Sequence, residues 1–68
     1  MMLQYYTKRF EVIIRGKYPA NRKKLMIANL MSEMETAFNM PMQSNPEWEQ
    51  ENEEIIALYR RISASRNL

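Results

Sequence analysis

The first apolar stretch of the chain repeats every three or four residues and is followed by two breaking signals. Its positions are Leu3, Tyr6, Phe10 and Ile13, with Ile14 as an optional fifth. This spacing places them on one face of a helix over about residues 3–15. Gly16 favours the end of a helix, and Pro19 restricts the residue before it to extended backbone, so the helix is expected to stop here.

A strand over residues 10–14 is the competing interpretation of this window, because Val12, Ile13 and Ile14 are β-branched. A lone strand would need a partner strand from another chain. The three- and four-residue spacing therefore favours the helix.

A second helix is predicted over about residues 20–39, with Pro19 as an alternative first residue. Its apolar positions are Leu25, Ile27, Leu30, Met31, Met34, Ala37 and Phe38. They form a stripe too wide for one packing seam, as expected of a central helix between two others. Asn39 tolerates the left-handed conformation that closes a helix, and Pro41 prevents its restart.

The third helix, predicted over about residues 46–64, has the clearest start signal. Ser44 or Asn45 can cap it, and Ser44 is assigned the capping role, while Pro46 suits the first turn. Its apolar face consists of Trp48, Ile55, Leu58, Tyr59 and Ile62. Glutamates fill its first half and Arg60 and Arg61 its second, which matches the helix dipole at both ends.

These elements predict an all-α fold: a small antiparallel three-helix bundle formed by a single domain over residues 1–68. One glycine and three prolines provide too little turn chemistry for a fold of many strands. A chain of 68 residues without cysteine has a thin core and no disulfides, so apolar packing must supply its stability.

Charge is unevenly distributed, because residues 1–43 carry seven basic and three acidic side chains and the remainder carries three basic and five acidic. In an antiparallel bundle, the end of helix one, the start of helix two and the end of helix three meet. We call this cluster the basic pole: Arg15, Lys17, Arg22, Lys23, Lys24, Arg60, Arg61 and Arg66. The opposite end is expected to collect Glu33, Glu35, Glu47, Glu49, Glu51, Glu53 and Glu54. A helix of about 18 residues separates the two ends by roughly 27 Å. This exceeds the screening length of about 8 Å, so neither end neutralises the other.

The chain has few side chains suited to catalysis, since it has no aspartate, histidine or cysteine to act as general base, nucleophile or metal ligand. The glutamates from residue 47 to 54 are expected to spread around a helix surface instead of converging on a metal ion. We therefore expect no enzyme activity, no cofactor and no metal. No apolar run reaches the roughly 18 residues of a membrane span, and no signal peptide precedes the first charges, so a cytoplasmic protein without membrane contact is expected.

The sequence therefore predicts a small non-enzymatic interaction or regulatory protein whose partner is a macromolecule, preferably another protein. The expected contact residues belong to the basic pole and to the loop after helix two: Arg15, Lys17, Arg22, Lys23, Lys24, Met40, Met42, Arg60 and Arg61. Binding of nucleic acid through the same pole is the first alternative. A homodimer or a larger homo-oligomer is the second.

Overall fold

The computed structural model describes residues 2–66, of which 78% are helical. It contains four helices: α1 (Met2–Arg15), α2 (Ala20–Ala37), α3 (Pro46–Glu51) and α4 (Glu53–Ser65). No strand occurs among residues 2–66. The all-α prediction is confirmed, and the alternative strand over residues 10–14 is wrong because this window lies inside α1.

The core is built from one face each of α1, α2 and α4. Its buried members are Tyr6, Phe10, Ile13, Ile27, Leu30, Met31, Met34, Leu58 and Ile62. Two predicted core positions are instead exposed, Ile14 by 42% and Leu25 by 66%. Leu25 lies two residues before the buried Ile27, and two residues correspond to about 200° around a helix. The two side chains therefore cannot face the same core.

Between α1 and α2 the chain turns over residues 16–19, as the sequence predicts. The Gly16 N–H donates to the Val12 carbonyl at 3.0 Å, and Pro19 precedes the first residue of α2. A β-carbon at position 16 would collide with the ring of Tyr18, so any other residue here would require that ring to move.

At the other end of α2, Asn39 adopts the left-handed conformation with a φ of 50°. This confirms the predicted closure of the helix. The Met40 N–H donates to the Glu35 carbonyl at 3.0 Å, which ties the start of the following loop to the last turn of α2.

The third predicted helix is divided at Asn52 into α3 and α4. The Asn52 side-chain amide donates to the Trp48 carbonyl at 2.8 Å, a carbonyl that would accept from the backbone N–H of residue 52 in a continuous helix. Ser44 as the cap of this segment is wrong. The cap is Asn45, whose side-chain oxygen accepts from the Trp48 N–H at 3.1 Å.

Side-chain contacts along the bundle relate the packed helices to one another. The Tyr6 ring in α1 lies edge-on to Phe38, the residue that follows α2, with 5.6 Å between the centroids. Further along α1, Arg9 pairs with Glu33 of α2. The guanidinium carbon of Arg61 in α4 lies 5.8 Å from the centroid of the Phe10 ring.

Candidate docking surfaces

Two cations of the predicted basic pole line one small cavity. Arg15 ends α1, and Arg61 of α4 lies over the Phe10 ring. Together with Glu11 and Ile14, these residues line a cavity of about 240 Å³. Glu11, which sequence reasoning did not assign to the pole, therefore lies among its cations and reduces their local charge.

The other predicted cations of this region follow α1 directly. Lys17 lies in the connection, and Arg22, Lys23 and Lys24 lie near the start of α2. Arg22 and Lys24 are exposed and Lys23 is half-buried. The first turn of α2 contains no acidic residue and its cap, Pro19, provides no side-chain hydrogen bond. This turn is therefore a positively charged surface element.

Arg60 makes a different contact from the one expected of a pole residue. Its Nη2 lies 2.6 Å from Oε1 of Glu49 in α3, and the Arg60 side chain stays 65% exposed. The Ser44 hydroxyl donates to the other oxygen of the same carboxylate at 3.4 Å. Arg60 thus connects α4 to α3, and part of its charge is compensated.

A second ion pair, which sequence reasoning missed, joins α1 to α2. Arg9 donates to both carboxylate oxygens of Glu33, at 2.5 and 2.8 Å, and its guanidinium carbon lies 5.5 Å from the Tyr5 ring centroid. The hydrogen bond from Arg9 holds the pKa of Glu33 below its usual value, and the same bond raises the pKa of Arg9. The pair borders a cavity of about 470 Å³ between the two helices, which Val12 and Met26 also line.

The two methionines of the predicted contact loop differ in exposure. Met40 is half-buried and packs against the core, whereas Met42 is fully exposed. Both line a cavity of about 500 Å³ with Glu35 and Tyr59. The Tyr59 hydroxyl donates to Oε2 of Glu35 at 2.6 Å. Burial and then this hydrogen bond raise the pKa of Tyr59 to about 12.

Three glutamates line a further cavity, of about 520 Å³, at the junction of α3 and α4. Apolar side chains from three elements line it: Leu3 of α1, Phe38 after α2 and Ile55 of α4. Glu51, Glu53 and Glu54 also line it and are exposed. Sequence reasoning placed these glutamates at one end of the molecule but did not find the cavity, which Asn52, at the break between α3 and α4, also lines.

No protein-family model, curated protein or solved structure matches this chain. Within residues 2–66, no helix has both the length and the apolar composition needed to cross a bilayer. In the same part of the chain, no three metal-ligating side chains come together.

Proposed function

We propose that this chain is a small non-enzymatic interaction protein that binds an acidic surface of another protein through its basic pole. The observation that carries the proposal is the start of α2. There Arg22, Lys23 and Lys24 are consecutive, the first turn contains no acidic residue, and two of the three cations are exposed. A cation cluster of this kind attracts an anionic partner and increases its association rate. A cytoplasmic location is part of this proposal.

The proposal includes an antiparallel arrangement of α1, α2 and α4, because this arrangement brings the residues of the basic pole together. Two contacts support it: residue 6 meets residue 38, and residue 9 meets residue 33, so the contact moves backwards along α2 as it advances along α1. The cavity shared by Arg15 and Arg61 supports a common position for the end of α1 and part of α4.

A protein partner is favoured over nucleic acid by the acidic residues near these cations. Glu11 lines the same cavity as Arg15 and Arg61, and Glu49 pairs with Arg60, so fewer charges are free for phosphates. Nucleic-acid binding through about 4–6 phosphate contacts would give a log–log salt slope of roughly −4 to −5 on duplex DNA. A mobility-shift titration with a duplex at low salt tests this alternative directly.

The proposal is tested by isolating the partner from the native host by affinity purification with mass spectrometry, followed by binding measurements on the purified pair. Replacing Arg22, Lys23 and Lys24 with glutamate should abolish binding while the helical circular dichroism spectrum is retained. The matched single variants are Lys24→Glu, inside the pole, and Lys8→Glu, outside it. Both replace an exposed lysine with glutamate, so they change the net charge equally. Equal affinities for these two variants, or unchanged affinity of the triple variant, would remove the pole as the binding surface.

A further inference from the structure

The cavity at the junction of α3 and α4 combines an apolar interior with an anionic edge. Leu3, Phe38 and Ile55 provide half-buried apolar surface, and glutamates 51, 53 and 54 stand around it. Two ion pairs occur among residues 2–66, and they use Glu33 and Glu49. The three glutamates of the cavity edge take part in neither. Such a site is suited to a segment that presents one apolar side chain between cations.

The chain itself contains a segment of this chemistry at the start of α2. Leu25 is 66% exposed, although it is a large apolar residue inside a helix. Exposed Arg22 lies one turn before it, on the same side of the helix, and exposed Lys24 is its direct neighbour. Leu25 is therefore an exposed apolar side chain flanked by cations. This surface is complementary to the cavity, whose apolar residues are flanked by glutamates.

One copy cannot bring these two surfaces together. Leu25 lies on α2, whereas Phe38, which lines the cavity, directly follows the end of the same helix. Thirteen residues at 1.5 Å per residue separate the two positions by about 20 Å along the helix axis. Contact between the surfaces therefore requires a second molecule.

We propose that the cavity binds the start of α2 from a second copy of this chain, with Leu25 entering the apolar interior and Arg22 and Lys24 facing the glutamates. The contact uses two different surfaces, so each complex retains one free cavity and one free helix start, and the association continues head to tail. The inference rests on the proposed function, because it uses part of the basic pole and adds an acidic surface of a second copy to those that the pole binds.

The test is sedimentation velocity of the purified chain over a concentration series at low salt. The average mass should rise above 8.2 kDa with concentration and return to that of the monomer in about 1 M salt, where the screening length is about 3 Å. Leu25→Ala should weaken self-association about tenfold or more, since it removes most of a leucine side chain from the contact. A monomer at every concentration would overturn the inference.

Two charge-reversed variants make the test specific. One carries glutamate at positions 22, 23 and 24, and the other carries lysine at positions 51, 53 and 54. Each should be monomeric alone. Their equimolar mixture should associate again, because it joins the intact cavity of the first to the intact helix start of the second and because the two reversed surfaces are also opposite in charge. A mixture that stays monomeric, or a cavity variant that still associates, would contradict the head-to-tail contact.

Controls separate this outcome from misfolding and from failure of the proposed function. Glu47→Lys, an exposed charge change outside the cavity, should leave self-association unchanged. If a triple variant loses its helical circular dichroism, Leu25→Ala and Glu54→Gln replace it. The cavity variant should still bind the partner isolated from the host with unchanged affinity. Partner binding by a strictly monomeric wild type would refute this inference and leave the proposed function standing.

Discussion

α2 and α3 are both helices, but different forces stabilise them. α2 contributes four buried residues, and Leu30 and Met34 have no exposed surface. α3 has six residues and none is buried, and an asparagine stands at each of its ends. Because a short helix is marginal in isolation, α3 depends on its cap and its neighbours, whereas α2 is held by tertiary packing. Substitutions in α2 should therefore destabilise the whole domain strongly, whereas substitutions in α3 should have smaller and more local effects.

The largest effect is expected from Leu30→Ala in α2. Removing a fully buried leucine costs about 2–5 kcal/mol of unfolding free energy, which is comparable with the total of roughly 3–5 kcal/mol expected of so small a domain. Urea denaturation followed by circular dichroism should show a protein that is largely unfolded at 37 °C. Ile27→Val, a smaller change at a buried position, should cost about 0.5–1.5 kcal/mol and remain measurable if Leu30→Ala does not fold.

Leu25→Ala is the matched control on the same helix. Its side chain is 66% exposed, so we expect a change within about 0.5 kcal/mol, measured at a concentration where the chain is monomeric. A loss as large as that of Leu30→Ala would mean that Leu25 is buried and that the assignment of the α2 core face is wrong.

The same contrast explains which features could be predicted from sequence. Burial repeats along a helix, so Tyr6, Phe10 and Ile13 were identified from their spacing, and all three are buried. Asn39 was identified from its tolerance of the left-handed conformation, which it adopts. The break at Asn52 could not be read from apolar spacing, because the hydrogen bond to Trp48 depends on a side-chain rotamer rather than on a repeat.

Charges were predicted less well than the core for a related reason. A long side chain can reach several partners, so its position in the sequence does not determine which carboxylate it meets. Arg60 pairs with Glu49 and Arg9 with Glu33, and neither pairing was predicted. Glu11 and Arg15 stand four residues apart in α1, and the structure also brings Arg61 of α4 to the cavity that they line.

The second prediction concerns the cap of α3. Asn45→Ala removes the side-chain oxygen that accepts from the Trp48 N–H, which should cost about 1 kcal/mol, mainly through fraying of α3. Amide hydrogen exchange should accelerate within residues 47–51 and much less within α2. Ser44→Ala, one residue earlier, should leave exchange in α3 nearly unchanged. Equal acceleration in both variants would contradict the assignment of Asn45 as the cap.

A third prediction tests the hydrogen bond between Tyr59 and Glu35, which lies beside the loop that leads to α3. Tyr59→Phe in α4 removes the hydrogen bond to Glu35 of α2 and should cost about 1 kcal/mol at neutral pH. The folded pKa of Tyr59, raised to about 12, lies above the unfolded value of about 10. The phenol therefore stabilises the fold fully below about pH 10 and loses this contribution as the pH rises towards 12.

Denaturant titrations of the wild type and Tyr59→Phe at a series of alkaline pH values measure this contribution. The difference in unfolding free energy between the two proteins should shrink as the pH rises from about 10 to 12. A difference that stays constant over this interval would show that Tyr59 titrates at its unfolded value and that its contact with Glu35 does not persist in solution.

The smallest expected effect comes from Asn52→Ala, which removes the side-chain donor that takes the place of the backbone N–H at the Trp48 carbonyl. Alanine also favours helix over asparagine by a few tenths of a kcal/mol. We expect α3 and α4 to become one continuous helix, seen as more helical Cα chemical shifts at Glu51 and Glu53. Asn29→Ala, at an exposed position within α2, makes the same chemical change where no break exists. Unchanged shifts in Asn52→Ala would mean that packing of α4, rather than this hydrogen bond, divides the helix.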